Sequence, residues 1–475
     1  MRLATLSVLS DPEIHQIHDA SLDILEQCGV KIGSDAMLRF LADAGLPIDQ
    51  ATGVVRFPRA CVEDALSRIP PQFEVYDREG RFLFVLGDGV SKVAAGHNAV
   101  FWVDSETGVT RPSTIADVEL FARICEVLPA IDVIGIPVMP QDVPDPRTSL
   151  LYGVRACIEN SRKPIFFSTD RPEINHAIIE MVRAAFAGRF PDQVYGISQF
   201  SPTSPLYWEG SVLDAIMDTA AMGVPLAILP EPNAGISAPY TLAGLLTANN
   251  VECLSGLVMI QLFRPGTKVL YANSWTTMDM RKGYALVGSV ETTVCRIAGA
   301  QLARFYRCPS HTTAPNSDNH AHDEQNAWEK TLSLFCSVGG GNDLVVNCGM
   351  FATGMTCSHE QLIMDEEMSA ISKRLAAGIE VTDVTIAKDL IAEIGPRGTG
   401  YLTALLTLER LGGDEYVEPR VSVRGPRAVW EAAGSKDTYQ LARDKVREYA
   451  RMPHPAQLDA QRKARLAEIV SSVKL

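Results

Sequence analysis

Several short apolar runs in this chain end in residues that can do chemistry. Val93-Ala94-Ala95 leads into Gly96, His97 and Asn98, and the run through Ile136 leads to Gln141 and Asp142. Val194–Ile197 leads to Gln199, Pro225–Leu229 to Glu231, and Lys268–Tyr271 to Asn273, Ser274 and Trp275. A weaker run, Pro309–Thr312, holds His311 and leads on to Asp318, and Leu344-Val345-Val346 leads to Asn347 and Cys348. The imidazoles of His97 and His311 and the amide of Asn273 are candidates to hold a carboxylate. Glu231 and Asp142 can balance a cation, and Asp318 adds a further acid. Trp275 and Trp102 offer ring faces of the kind that attract quaternary ammonium, about 0.5–2 kcal/mol per contact. Each residue also has a plainer reading: packing for the aromatics, helix caps or salt bridges for the acids. No catalytic dyad emerges from the set.

What is missing narrows the chemistry. The chain carries no Walker, Rossmann or GxSxG signature. Its one His-x-His, His320-Ala321-His322 with Asp323 after it, raises the alternative of a metal-dependent barrel hydrolase or lyase. Loop histidines and an N-cap at Asp323 explain the same residues without a metal.

The elements that must position these residues follow from the spacing of the runs. With Pro164–Phe167 they number eight, separated by roughly 30–45 residues, the length a strand, helix and two loops require. Between them lie amphipathic helices, such as the one opened by Thr114 and carrying Val118, Phe121 and Ile124. Eight successive βα units predict a TIM (β/α)8 barrel, in which catalytic groups gather at the C-terminal ends of the strands. An open doubly wound sheet is the alternative, weakened by the missing Gly-rich loop after the first strand. The expected organisation is an N-terminal helical cap over residues 1–90, the barrel over 91–357, and a C-terminal helical extension over 358–475. Leu375 and Leu405-Leu406 in that extension suggest a homo-oligomer.

Composition sets outer limits. The 475 residues carry a formal net charge of -14, with 46% hydrophobic and 21% charged residues. That balance argues against a nucleic-acid surface, which needs clustered Lys and Arg. Met1 to Ser7 is too short for a signal-peptide core, and no run approaches the ~20 apolar residues of a membrane span. Ten scattered cysteines read as reduced thiols and a cytoplasmic location.

Several ordered segments resemble the trimethylamine methyltransferase family. They include Gly135-Ile136-Pro137-Val138 through Pro144, Thr241–Gly244, Tyr271–Trp275 with Met278–Arg281, and Ser317-Asp318 through Gln325. Gly349–Gly354, Glu360-Gln361 and Gly378–Val381 continue the series. The resemblance implies a TIM-barrel enzyme that passes a methyl group from a methylated amine to a Co(I) corrinoid carried by a small partner protein, with no cofactor tightly bound to the barrel itself. Family members acting on trimethylamine carry pyrrolysine, expected in the seventh or eighth βα region. This chain has none and so resembles relatives acting on quaternary amines, glycine betaine foremost. Another methylamine, a non-corrinoid acceptor such as a folate, and a non-catalytic betaine-binding barrel stay open as alternatives.

Overall fold

The computed structural model describes residues 6–475 except 105, 170, 397 and 399. The start of the Met1–Ser7 segment lies outside the described residues. All eight runs form strands: β1 Lys92–Ala95, β2 Val133–Gly135, β3 Ile165–Ser168, β4 Gly196–Phe200, β5 Leu226–Ile228, β6 Val269–Asn273, β7 Ser310–Thr313 and β8 Leu344–Cys348. They pair in parallel and in chain order, and β8 pairs with β1, closing a barrel. Parallel strands require crossovers, and helices supply them.

Side-chain alternation divides each strand between two environments. Ala94, Val133, Phe166, Ile197, Ala227, Leu270, Ala272 and Val346 fill the interior as one buried cluster. Their neighbours face the ring of helices: α4 Ile115–Val127, α5 Ser149–Asn160, α6 Pro172–Ala185, α7 Gly210–Met222, α8 Leu242–Phe263, α9 Val290–Phe305, α10 Glu324–Gly339 and α11 His359–Ala377. α11, read above as the start of the extension, packs on α10, α4 and β8 and completes the ring.

The N-terminal region is more than helical. Helices α1 Asp11–Gln27, α2 Asp35–Asp43 and α3 Arg59–Ser67 are present, with the Ser10/Glu13 capping box at α1. Two sheets accompany them. Val30–Ile32 pairs with Val54–Val55 and with Tyr207–Trp208 from the loop after β4. The hairpin Phe73–Tyr76/Phe82–Leu86 sends Phe73, Val75 and Leu86 into the interior cluster, stopping the N-terminal end of the barrel. These strands are two to five residues long, too short for an alternating pattern to register.

The membrane-span reading of the sequence is corrected at α8. Its 22 residues are long and apolar enough to cross a bilayer, yet most are buried. α1 and α3 cover the side that the barrel does not, so this helix is apolar all round because protein surrounds it. At the other end of the chain, α12 Asp383–Ile386, α13 Lys388–Ile394, α14 Leu405–Arg410 and α15 Arg427–Ala432 are short, while α16 Thr438–Arg451 lies on α11 and α4, and α17 Ala460–Ser472 on α6 and α5.

Candidate active site at the barrel mouth

The alternation that fills the barrel with apolar side chains changes character at the C-terminal ends. Two residues beyond Phe166 comes Ser168, and two beyond Ile197 comes Gln199. Two residues beyond Leu229 comes Glu231, in a segment kept extended by the bonds Ser274 N to Pro230 O (3.2 Å) and Thr276 N to Pro232 O (3.1 Å). A polar layer thus caps an apolar one. His311 and His97 join it, each with its ring centroid 5.1 Å from that of Phe166.

Gln199 ties the layer together. Its side-chain amide lies 3.0 Å from His311 Nε2 on one side and 3.3 Å from His97 Nε2 on the other. Ser168 Oγ is 3.0 Å from the same His97 nitrogen, and His311 Nδ1 is 3.3 Å from Leu344 O. Burial pushes the pKa of His97 down to about 4 and that of His311 to about 3, because a desolvated imidazole disfavours the charged form. Both rings are therefore neutral at physiological pH. A neutral His311 that donates Nδ1–H to Leu344 O has a bare Nε2, which calls for the NH2 of Gln199. The bonding network then turns the amide from the orientation with Oε1 toward His311, so that the carbonyl accepts from His97.

Glu231 brings an acid to the mouth. It is exposed to solvent, yet enough protein surrounds it to raise its carboxyl to about 7. The two facts fit a carboxyl at a wet opening. Among the described residues no hydrogen bond or ion pair reaches it. Beside this centre, Ser274 and Thr313 share a hydroxyl contact of 3.1 Å. A cavity of about 320 Å³ opens between Asn98, Met139, Ser168, Gln199 and Ser201.

The remaining candidates sit elsewhere. Trp275 and Asn273 lie in the barrel wall facing α9: a Cβ added at Gly299 would meet Asn273 Nδ2 at 2.5 Å and the Trp275 ring at 2.8 Å. Both are buried, and Asn273 Oδ1 accepts from Thr312 Oγ1 at 2.7 Å. Trp102 is buried between α4 and α11, its ring 4.6 Å from that of His359 and 6.4 Å from that of Phe121. Neither indole presents a free face to the mouth. Asp142 accepts from Ile115 N at 2.8 Å and caps α4. Asp318 receives the amides of Val287 (2.9 Å) and Gly288 (3.0 Å) ahead of α9, and burial raises its pKa. The structure thus brings His97, His311 and Glu231 to one opening and gives the other five to the framework. Gln199 and Ser168 belong to the opening and had no role in the sequence reading. Their signal was the polar residue continuing an inward alternation.

The His320–Asp323 segment is also structural. Asp323 caps α10 through the amides of Gln325 and Asn326, and His322 stacks on Tyr439 at 4.7 Å. No group of three or more His, Cys, Asp or Glu among the described residues is placed to hold a metal ion.

A family model of trimethylamine methyltransferases matches residues 1–474. The chain belongs to the trimethylamine methyltransferase family. It is a methyltransferase, similar to the trimethylamine methyltransferase MttB of Desulfitobacterium hafniense at 31% identity over 92% of this chain and 88% of that protein. It is 27% identical to a glycine betaine methyltransferase of the same species, over 99% of this chain and 97% of that one. The barrel also resembles the crystal structure of the Methanosarcina barkeri monomethylamine methyltransferase MtmB. The TM-score is 0.56 at 10% identity, over 99% of this chain and 90% of that one, a likeness of fold.

Proposed function

We propose that this methyltransferase takes a methyl group from a small quaternary amine, glycine betaine first among them, and gives it to a corrinoid carried by a separate small protein. The observation that carries the reading is Glu231, an acid without a partner among the described residues, at the same opening as the neutral His97 and His311. A fixed cation satisfies that carboxyl, and a quaternary ammonium does so with no proton to lose. When its methyl group departs, the amine leaves neutral, so the site needs no general acid, and the unprotonated His97 and His311 offer none. The carboxylate of a betaine would rest on neutral donors of the layer, Ser168, Ser274 and Thr313 hydroxyls among them. The name of the 27% identical relative supports the same substrate.

A Co(I) corrinoid, when bound, supplies the nucleophile that accepts the methyl group while the C–N electron pair stays on nitrogen. The rim of the opening fits a partner bringing such a macrocycle. Phe101, Met139, Ile236, Tyr240, Met280 and Tyr284 stand exposed in the loops after β1, β2, β5 and β6, an apolar ring on the face that holds the polar layer. This chain's own part is to hold the N-methyl carbon in line and keep water from the reacting atoms. The ten cysteines, all unpaired among the described residues, fit work in a reducing, cytoplasmic compartment, and a homo-oligomer is part of the same proposal.

The test is direct. Enzyme and Co(I) corrinoid are mixed with glycine betaine, carnitine, γ-butyrobetaine, proline betaine or trimethylamine. Loss of the Co(I) absorbance is followed, and the demethylated amine is identified by mass spectrometry. Dimethylglycine from glycine betaine is the expected product. Reaction with trimethylamine alone removes the quaternary-amine reading. Reaction with none removes the corrinoid, and a folate acceptor is tried next.

A further inference from the structure

The chain bends sharply where it leaves β1. Gly96 and Asn98 both have positive φ, 76° and 56°, a conformation that glycine and asparagine adopt more readily than other residues. The bend is fixed to the end of β2, where Asn98 N donates to Ile136 O at 2.6 Å and Ala99 N to Pro137 O at 3.0 Å. It carries the Asn98 side chain across to β3. Its Nδ2 lies 3.4 Å from Ser168 O and 3.2 Å from Ser168 Oγ. A backbone carbonyl only accepts, so the amide nitrogen has to face it, and this settles which way the carboxamide points. Oδ1 is the other end. It is buried and has no partner among the described residues.

The cavity of about 320 Å³ at the mouth begins at this amide. Ser168, Gln199 and Ser201 give it a polar side, Met139 and Leu150 an apolar one, and no charged residue among those described lines it. A buried acceptor without a donor has lost its hydration and gained no bond in return, so such atoms are few in folded proteins. His97 repeats the pattern. With its Nε2–H given to the Gln199 carbonyl, its Nδ1 is a bare acceptor, again buried and without a partner among the described residues. The end of β1 thus offers acceptors and lacks donors. Glycine betaine brings no donor, since its carboxylate only accepts and its methyl groups carry no polar hydrogen.

We infer that the cavity receives the hydroxyl of a quaternary amine that carries one on the second carbon from nitrogen, and that the enzyme takes such β-hydroxy amines in addition to glycine betaine. The inference rests on the quaternary-amine reading of the mouth. Glu231 meets the ammonium from the end of β5, and β5 pairs with β4, whose end gives Gln199 and Ser201 to the cavity. Neighbouring strands lie about 4.8 Å apart. Three bonds of about 1.5 Å separate the nitrogen from the hydroxyl oxygen, enough to reach from one strand end to the next. A hydroxyl donates to Asn98 Oδ1 and accepts from a serine of the cavity. A carboxylate in the same place would set oxygen against oxygen with no cation beside it.

Carnitine and γ-butyrobetaine test this, because they differ only by that hydroxyl. Dissociation constants for both and for glycine betaine are measured by calorimetry on the full chain. The wild type is expected to bind carnitine about 3- to 10-fold more tightly than γ-butyrobetaine, the range of one hydrogen bond. Asn98→Gly suits the positive φ, removes the carboxamide, and is expected to bring the ratio to about one. Asn98→Asp keeps an acceptor oxygen in a residue that tolerates the same backbone, and is expected to preserve the ratio. A wild-type ratio near one, the result if water alone serves Asn98 Oδ1, overturns the inference; the quaternary-amine reading then stands if glycine betaine binds. A ratio that Asn98→Gly leaves unchanged overturns the inference too. Loss of the ratio in both variants places the effect in the backbone turn and overturns the role of the oxygen. Binding of none of the three amines overturns the quaternary-amine reading itself, and this inference with it.

Discussion

Glu231→Gln is a nearly isosteric change that removes a charge with no partner among the described residues. A quaternary nitrogen cannot approach a carboxylate oxygen more closely than about 4–4.5 Å. At that distance, with an effective dielectric near 20, the attraction is about 4 kcal/mol. The residue is exposed to solvent, which screens most of this and leaves about 1 kcal/mol. The dissociation constant of glycine betaine should therefore rise roughly fivefold in the variant. The pH dependence gives a second readout with a definite sign. Burial raises the carboxyl to about 7, so the acid is largely protonated at pH 6 and ionised at pH 8. A cation prefers the ionised form, and wild-type affinity should strengthen as pH rises through 7, with proton release on binding below it. The glutamine variant should show a flat profile over the same range. Calorimetry from pH 5.5 to 8.5, in two buffers of different ionisation enthalpy, reads both affinity and protons. Equal affinity for the two proteins, or a wild-type profile as flat as the variant's, would refute the assignment of Glu231 as the cation partner.

Three further outcomes follow from the packing around the mouth. Lys330 and Asp365 form an ion pair at 3.0 Å with both side chains fully buried. Lys330→Met should cost about 3–5 kcal/mol in urea unfolding because it leaves a buried acid unpaired, and Lys330→Met/Asp365→Leu should recover most of it; a single-variant loss under about 1 kcal/mol would contradict this. Trp275→Ala should lower stability by about 3–5 kcal/mol and leave betaine affinity within about twofold, since the indole packs against α9. A binding loss larger than the stability loss would return Trp275 to the site. His97 and His311, with pKa values pushed to about 4 and 3, should give neutral-ring nitrogen signals in labelled-histidine NMR at pH 5.5, and a doubly protonated signal from either would sink the neutral layer.

The barrel was legible because its signal is periodic and repeated. Eight short runs of three to six residues, each followed by a helix, leave few topologies, and each run became a strand with its ends shifted by no more than three residues. The short N-terminal strands had no such repetition. Val30–Ile32 takes its place from Tyr207–Trp208, far away in the chain, and nothing local announces that pairing. α8 shows the opposite case: it is long and apolar enough for a spanning helix, which the sequence reading did not register, and the cover of α1 and α3 explains that composition.

The candidate site was legible in part for the same reason. Strand-end position identified a set of polar and aromatic residues, and family resemblance named the chemistry. Whether a given one faces the opening or the helix ring depends on the parity of its position in a strand, and beyond the strand on how the loop turns. Glu231 continues the inward parity of Ala227 and Leu229, whereas Asn273 and Trp275 continue the outward parity of Val269 and Tyr271. The tryptophan that looked best by type thus went to the wall against Gly299, and the glutamine between two histidines went to the centre. From the order of its residues alone this protein has a closed parallel barrel, a polar layer at its strand ends and a family. Which three of eight candidates meet at that layer was decided by the closed barrel, because only closure brings the ends of β1, β4, β5 and β7 to one opening.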